Sequence, residues 1–108
     1  MEFINRIELK GIVGSAVVSR VGGSKVFRFS LATEHAYEGS DGTTAIDRTW
    51  FQVTAHEGAG IPDLGSVRRG SGLLVRGRIK CSMYVDANGN DRVMYEVVAG
   101  EVEMADGE

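Results

Sequence analysis

A chain of 108 residues with 12 Lys and Arg against 15 Asp and Glu has the size of one domain, and its net charge of −3 lacks the basic surplus of a generic nucleic-acid binder. Its 15 glycines, single proline and 43% hydrophobic residues suit a turn-rich β domain and not a long-helix bundle. No run approaches the ~20 apolar residues that span a bilayer, no charged-then-apolar leader opens the chain, and the single cysteine cannot form an internal disulfide; the expectation is a soluble cytoplasmic protein without a membrane partner.

The elements follow in chain order. Residues 3–13 read as a first strand, with Phe3, Ile7 and Leu9 alternating with Arg6, Glu8 and Lys10. Gly11 and Gly14 mark a bend or bulge where a strand turns a barrel corner. Residues 16–21 can continue it to the turn signal Gly22-Gly23-Ser24. Residues 25–33 form a second strand, with Phe27, Phe29 and Leu31 on one face and Arg28 and Ser30 on the other. Residues 36–44 read as a polar hairpin loop. Residues 46–56 form a third strand that sends Phe51, Val53 and Ala55 one way and Trp50, Gln52, Thr54 and His56 the other.

At residues 57–70 the pattern changes. Pro62 can open a short helix through Leu64 to Arg68, with Gly70 as its stop, although Gly58, Gly60 and Gly65 weaken it. Residues 71–84 form a fourth strand. Its apolar parity carries Leu73, Val75, Gly77, Ile79 and Cys81, so the thiol reads as buried and inert. Its other parity carries Leu74, Arg76, Arg78, Lys80, Ser82 and Tyr84. Asn88-Gly89 marks a hairpin turn, and residues 92–104 form the fifth strand. Five strands with one short helix between strands 3 and 4 is the order of the OB fold, a five-stranded Greek-key barrel. The chain is therefore expected to be all-β, one domain over residues 1–104 followed by a short acidic end at 105–108.

Two of these strands set flat rings beside polar or cationic groups, which is what a single-stranded nucleic-acid platform uses: π-faces for bases and cations for phosphates. The charge is segregated along the chain. Arg68, Arg69, Arg76, Arg78 and Lys80 fall in an acid-free segment, while the acids gather at 34–47 and 96–108. From pattern alone, Trp50 is either a stacking platform or a packing residue at the barrel edge. Arg76, Arg78 and Lys80 are either a phosphate track or a solvated strand face that guards against edge pairing. For catalysis there is no constellation. Gly-x-Ser-x-Gly is absent, neither Gly11–Ser15 nor Arg69–Gly72 continues as a phosphate loop, and Glu34, Glu38, Asp41 and Asp47 surround a turn-rich loop, the usual place of solvated charge. One cysteine and no second histidine at ligand spacing leave no metal set. The reading is a non-enzymatic protein that needs no cofactor.

Several segments, in order and at near-constant spacing, resemble bacterial single-stranded DNA-binding proteins. Asn5-Arg6-Ile7-Glu8-Leu9-Lys10-Gly11 is similar to that family's opening, Phe29-Ser30-Leu31-Ala32-Thr33 to its Phe-Ser-Leu-Ala-Thr, and Thr49-Trp50-Phe51-Gln52-Val53 to its Trp-containing strand. Arg69-Gly70-Ser71 with Val75-Arg76-Gly77, and Asn88-Gly89-Asn90-Asp91-Arg92 with Glu96-Val97-Val98, resemble its later motifs. The resemblance runs from Asn5 to about Met104. It implies an OB fold that assembles with copies of itself, as a homotetramer or a homodimer, and binds single-stranded DNA with little sequence preference in replication, repair or recombination. It implies base stacking at Trp50, Tyr37, Tyr84 and His56. Phosphate contacts carry over best to Arg69 and Lys80, with Arg78, Arg76, Arg28 and Arg48 completing the cation set.

The departures weaken the platform. Tyr37, His56 and Tyr84 stand where the family commonly has Trp or Phe. Lys80-Cys81-Ser82-Met83-Tyr84 lacks two of its cations, and Phe51 and Gln52 replace its usual His and Arg. The family's long tail with an acidic, Phe-ended tip is not present, which bears on recruitment of replication proteins. Two alternatives remain open at this point: an accessory protein like primosomal replication protein N, acting mainly through protein partners, and an OB module that only binds proteins.

Overall fold

The computed structural model describes residues 1–105; the rest of the acidic end expected at 105–108 lies outside the described residues. Five strands run in order: β1 (Ile7–Val21), β2 (Ser24–Glu38), β3 (Thr44–His56), β4 (Gly72–Val85) and β5 (Asp91–Met104). They close into a barrel in the spatial order β1-β2-β3-β5-β4. Every pairing is antiparallel except β3 with β5, which is parallel over Val53–Ala55 and Val97–Ala99. Among the described residues this is the all-β, five-stranded Greek-key barrel expected from the strand order.

The period-two pattern becomes an interior. Val13, Leu31, Val53, Leu73 and Val75 are essentially closed to solvent, joined by Leu9, Phe27, Phe29, Ala55, Val97 and Val102. Truncating such a side chain, as in Leu31→Ala, costs ~2–5 kcal/mol through lost burial and the cavity left behind. Register shifts that leave Gly14 of β1 and Gly100 of β5 unpaired let long strands bend around the barrel. Gly22 and Gly23 close the β1–β2 hairpin, both with positive φ, as a two-residue turn of the favoured hand requires.

Four expectations are corrected. First, residues 57–71 contain no helix. Gly60 sits at φ 83, and the backbone makes successive tight turns from Ile61 N–H to Gly58 C=O, Val67 to Leu64 and Ser71 to Arg68. Ile61, Leu64 and Val67 are buried. Pro62 and Gly70 suggested a helix start and stop, but they bracket a run of turns that sets three apolar anchors into the barrel. Second, β1 begins at Ile7 and Phe3 is exposed. The Asn5 amide continues the ladder instead, donating to Ile79 C=O at 2.7 Å and accepting Ile79 N–H at 3.0 Å.

Third, the expected 36–44 loop shrinks, because β2 and β3 stay paired out to Glu38 and Thr44. Backbone pairing needs no apolar side chains, so this polar arm left no periodic signal. Fourth, Cys81 is exposed. It keeps the apolar parity of β4, but at that point the β4–β5 hairpin has left the barrel and has no core to face.

Candidate nucleic-acid interface

Trp50 lies opposite Ala32 in the β2–β3 ladder, and its ring reaches over Gly14 at the β1 bulge. A Cβ on Gly14 would stand 2.5 Å from Trp50 Cζ3, 2.7 Å from Cη2 and 2.9 Å from Ser30 Oγ. Gly14 is not among the positive-φ glycines, so what the position requires is room and not backbone freedom. The bulge is stitched by Ser30, whose Oγ accepts the Ser15 N–H at 3.0 Å and lies 3.2 Å from Ser15 Oγ. The ring is thus seated on one side and remains 54% exposed on the other.

The ring lines a groove of about 490 Å³ whose walls include Lys10 of β1, Glu34 of β2, Arg48 of β3 and Arg69 of the β3–β4 connection. Arg69 is held there by its neighbours: Val13 N–H donates to Ser71 C=O and Gly70 N–H to Val13 C=O, both at 2.8 Å. Gly70, at φ 94, makes that turn possible. Three cations and one aromatic face therefore share a concave surface with a single carboxylate. That carboxylate is engaged: Arg48 Nε donates to Glu34 Oε2 at 2.9 Å and Nη2 donates to the same oxygen.

The structure brings Trp50, Arg48 and Arg69 together and spreads the other expected residues over neighbouring facets. Arg28 lies opposite Val17 and Thr54 on the outer face, with Nη1 donating to Ser19 Oγ at 3.1 Å. His56 ends β3 opposite Val26 and is exposed. Arg78 and Lys80 face outward opposite Val98 and Glu96, and Glu96 accepts the Thr54 hydroxyl at 2.9 Å. Tyr84, opposite Arg92, and Tyr37, opposite Ala45, sit half-exposed on two different arms.

Arg76 is in another setting. Its Nε donates to Glu8 Oε2 at 2.6 Å, its Nη1 donates to Glu101 Oε2 at 3.3 Å, and Glu103 Oε1 lies 3.9 Å away. The Glu8 hydrogen bond, followed by the charges around it, raises the guanidinium above its ordinary value. The three cations that share one strand parity thus separate, Arg76 into the β1–β4–β5 seam and the others toward the arm.

Sequence reasoning missed Lys10, Gly14 and Glu34 as parts of this surface. Lys10 stood in the opening motif as one of several alternating polar residues, and nothing in the chain says that β1 folds beside Trp50. Trp50 also lines a second, mainly apolar cleft of about 290 Å³, with Phe51, Gln52, Ile79 and Tyr95 among its walls. Tyr95 was also unremarked; it shares the parity of the buried Val97 and Ala99 yet is exposed. Among the described residues, no group of three or more His, Cys, Asp or Glu is placed to hold a metal ion, and no helix is long and apolar enough to cross a membrane.

Comparison with known proteins places this geometry. The profile described as the single-strand binding protein family matches residues 4–105. The single-stranded DNA-binding protein of Xylella fastidiosa is 28% identical over 106 residues, which cover 96% of this chain and 65% of that protein. The mitochondrial single-stranded DNA-binding protein of Mus musculus is 29% identical over 108 residues, covering 91% of this chain and 70% of that one. The chain thus spans about two thirds of the length of these relatives.

Among solved structures, a Plasmodium falciparum SSB in complex with ssDNA superposes with a TM-score of 0.80 at 20% identity, covering 98% of both chains. A deletion mutant of the single-stranded DNA-binding protein from Thermus aquaticus gives 0.78 at 16% identity, over 97% of this chain and 52% of that one. These two likenesses bear on the fold, and the family match covers nearly all of the sequence: the chain belongs to the single-strand binding protein family.

Proposed function

We propose that this protein binds single-stranded DNA without sequence preference, holding and protecting transient single strands in replication, repair or recombination. The observation that carries this is the half-exposed Trp50 ring, seated on Gly14, in the wall of a groove that also presents Lys10, Arg48 and Arg69. Every base has a π-face, so a ring of this kind gives affinity without a sequence code. In this reading Trp50 is the principal stacking residue, and Tyr37, Tyr84 and His56 extend the path along the arms and the end of β3. Arg69, Arg48, Lys10, Lys80, Arg78 and Arg28 neutralise phosphates. Arg76, held by three carboxylates, contributes little to that set. The names of the relatives support the same substrate.

Self-association belongs to the proposal. Val17, Met83, Val85 and Tyr95 are each 64–74% exposed, on the β1–β2 hairpin and the β4–β5 arm, and apolar surface of this kind is what a second copy covers. A homotetramer or homodimer in the cytoplasm, associated with the nucleoid and free of cofactor or catalytic role, fits it. The alternative of an accessory protein like primosomal replication protein N draws support from the net charge of −3 and from the cations already committed to carboxylates. Titration with oligo-dT at low salt separates the two: direct DNA binding gives affinity that weakens as salt rises, and the accessory reading gives none.

A further inference from the structure

Within the proposed binding groove one group has the wrong sign. Glu34 and Arg48 are direct cross-strand partners on β2 and β3, and both line the groove beside Trp50. Arg48 donates from Nε, at 2.9 Å, and from Nη2, so that both donors converge on one carboxylate oxygen. The side chains remain 59% and 47% exposed, so the pair stands in water, where such pairs are weak and exchange partners readily. A phosphate oxygen entering the groove presents the same acceptor geometry to the guanidinium.

We propose that Glu34 is an affinity-setting residue: an internal carboxylate that occupies Arg48 in the free protein and competes with the phosphates of a bound strand. The inference rests on the single-strand-binding reading and adds a regulator to it. Its signature lies in the ion balance. A phosphate that meets an unpaired cation releases its condensed counterion, and the log–log salt slope of affinity gains about 0.7 per such contact on a single strand. A phosphate that takes Arg48 from Glu34 also releases its counterion. The freed carboxylate then draws a cation of its own, so Arg48 contributes almost nothing to the slope. Arg48 serves as a latent contact.

The test is fluorescence titration of the full chain with oligo-dT across a salt series. Glu34→Gln is expected to bind about three- to tenfold tighter at low salt, with a slope steeper by about 0.7. Glu38→Gln removes the same charge from the same strand at the end of the β2–β3 arm, outside the groove, and is expected to change affinity less than twofold. In an Arg48→Gln background the gain from Glu34→Gln is expected to disappear. Equal gains in Glu34→Gln and Glu38→Gln would reduce the effect to net charge and overturn the proposal. So would a gain that persists without Arg48, or an unchanged slope. Absence of any oligo-dT affinity in the unmodified protein would instead remove the underlying reading, so the two failures are distinct.

Discussion

Adding one methyl group at Gly14 tests how the binding surface is built. In Gly14→Ala the new Cβ would lie 2.5 Å and 2.7 Å from two ring carbons of Trp50, where ordinary contact begins at 3.4 Å. The ring therefore has to withdraw by about 0.9 Å. It is 54% exposed and can swing toward solvent, so the cost to folding should stay below the ~1–3 kcal/mol typical of overpacking in a closed core. The cost to binding should be larger. A base stacked on an aromatic ring is worth ~1–3 kcal/mol, and a ring displaced from its seat loses part of that, about fivefold in Kd if ~1 kcal/mol is lost.

Trp50 is the only tryptophan, so its emission reports on this ring alone. Gly14→Ala should shift the emission to the red, weaken oligo-dT binding and leave the salt slope unchanged, because no charge is touched. In a Trp50→Ala background the methyl should no longer change oligo-dT affinity, and only the 2.9 Å approach to Ser30 Oγ remains to be relieved. Unchanged emission together with unchanged affinity would refute the seating of the ring. A large fall in the unfolding midpoint, with full affinity in the folded fraction, would mean that the bulge alone needs the glycine.

Two further predictions follow from how the charges are placed. Arg69→Gln should lower the salt slope of oligo-dT binding by about 0.7, whereas Arg76→Gln should leave the slope unchanged and lower the thermal midpoint slightly, because Glu8, Glu101 and Glu103 already occupy it. Asp86 is held below the ordinary aspartate value, first by Arg92 Nε at 2.8 Å and then by the N–H groups of Asn90 and Asn88. Its contribution to the β4–β5 turn is therefore complete above the ordinary value and lost as pH falls through the lowered one; carboxyl NMR titration of Arg92→Gln should show Asp86 protonating at higher pH.

What could be read in the sequence follows from where a core exists. Phe27, Phe29, Leu31, Val53, Leu73 and Val75 alternate with polar residues because each has the barrel interior to face, and that alternation marked β2, β3 and β4, whereas the fifth strand was placed by the Asn88-Gly89 turn before it. Where the chain leaves the barrel, parity no longer reports burial. Cys81 and Tyr95 sit opposite each other with core parity and yet lie in solvent, and the β2–β3 arm carries no pattern because nothing covers it.

The site was legible residue by residue but not in its grouping. Trp50 and Arg69 stood out by type and motif. The neighbour that neutralises Arg76, the carboxylate on Arg48 and the glycine beneath Trp50 all come from other strands: the β2–β3 register sets Glu34 against Arg48, β1 and β3 flank β2 so that Gly14 meets Trp50, and the β1–β4 pairing that closes the barrel brings Glu8 to Arg76.

The most direct measurement is the quenching of Trp50 fluorescence by oligo-dT at low and at moderate salt, alongside the subunit count by light scattering. The account predicts strong quenching that saturates, an affinity that falls as salt rises, and loss of most of that affinity in Trp50→Ala. Absence of both quenching and affinity at low salt would contradict it.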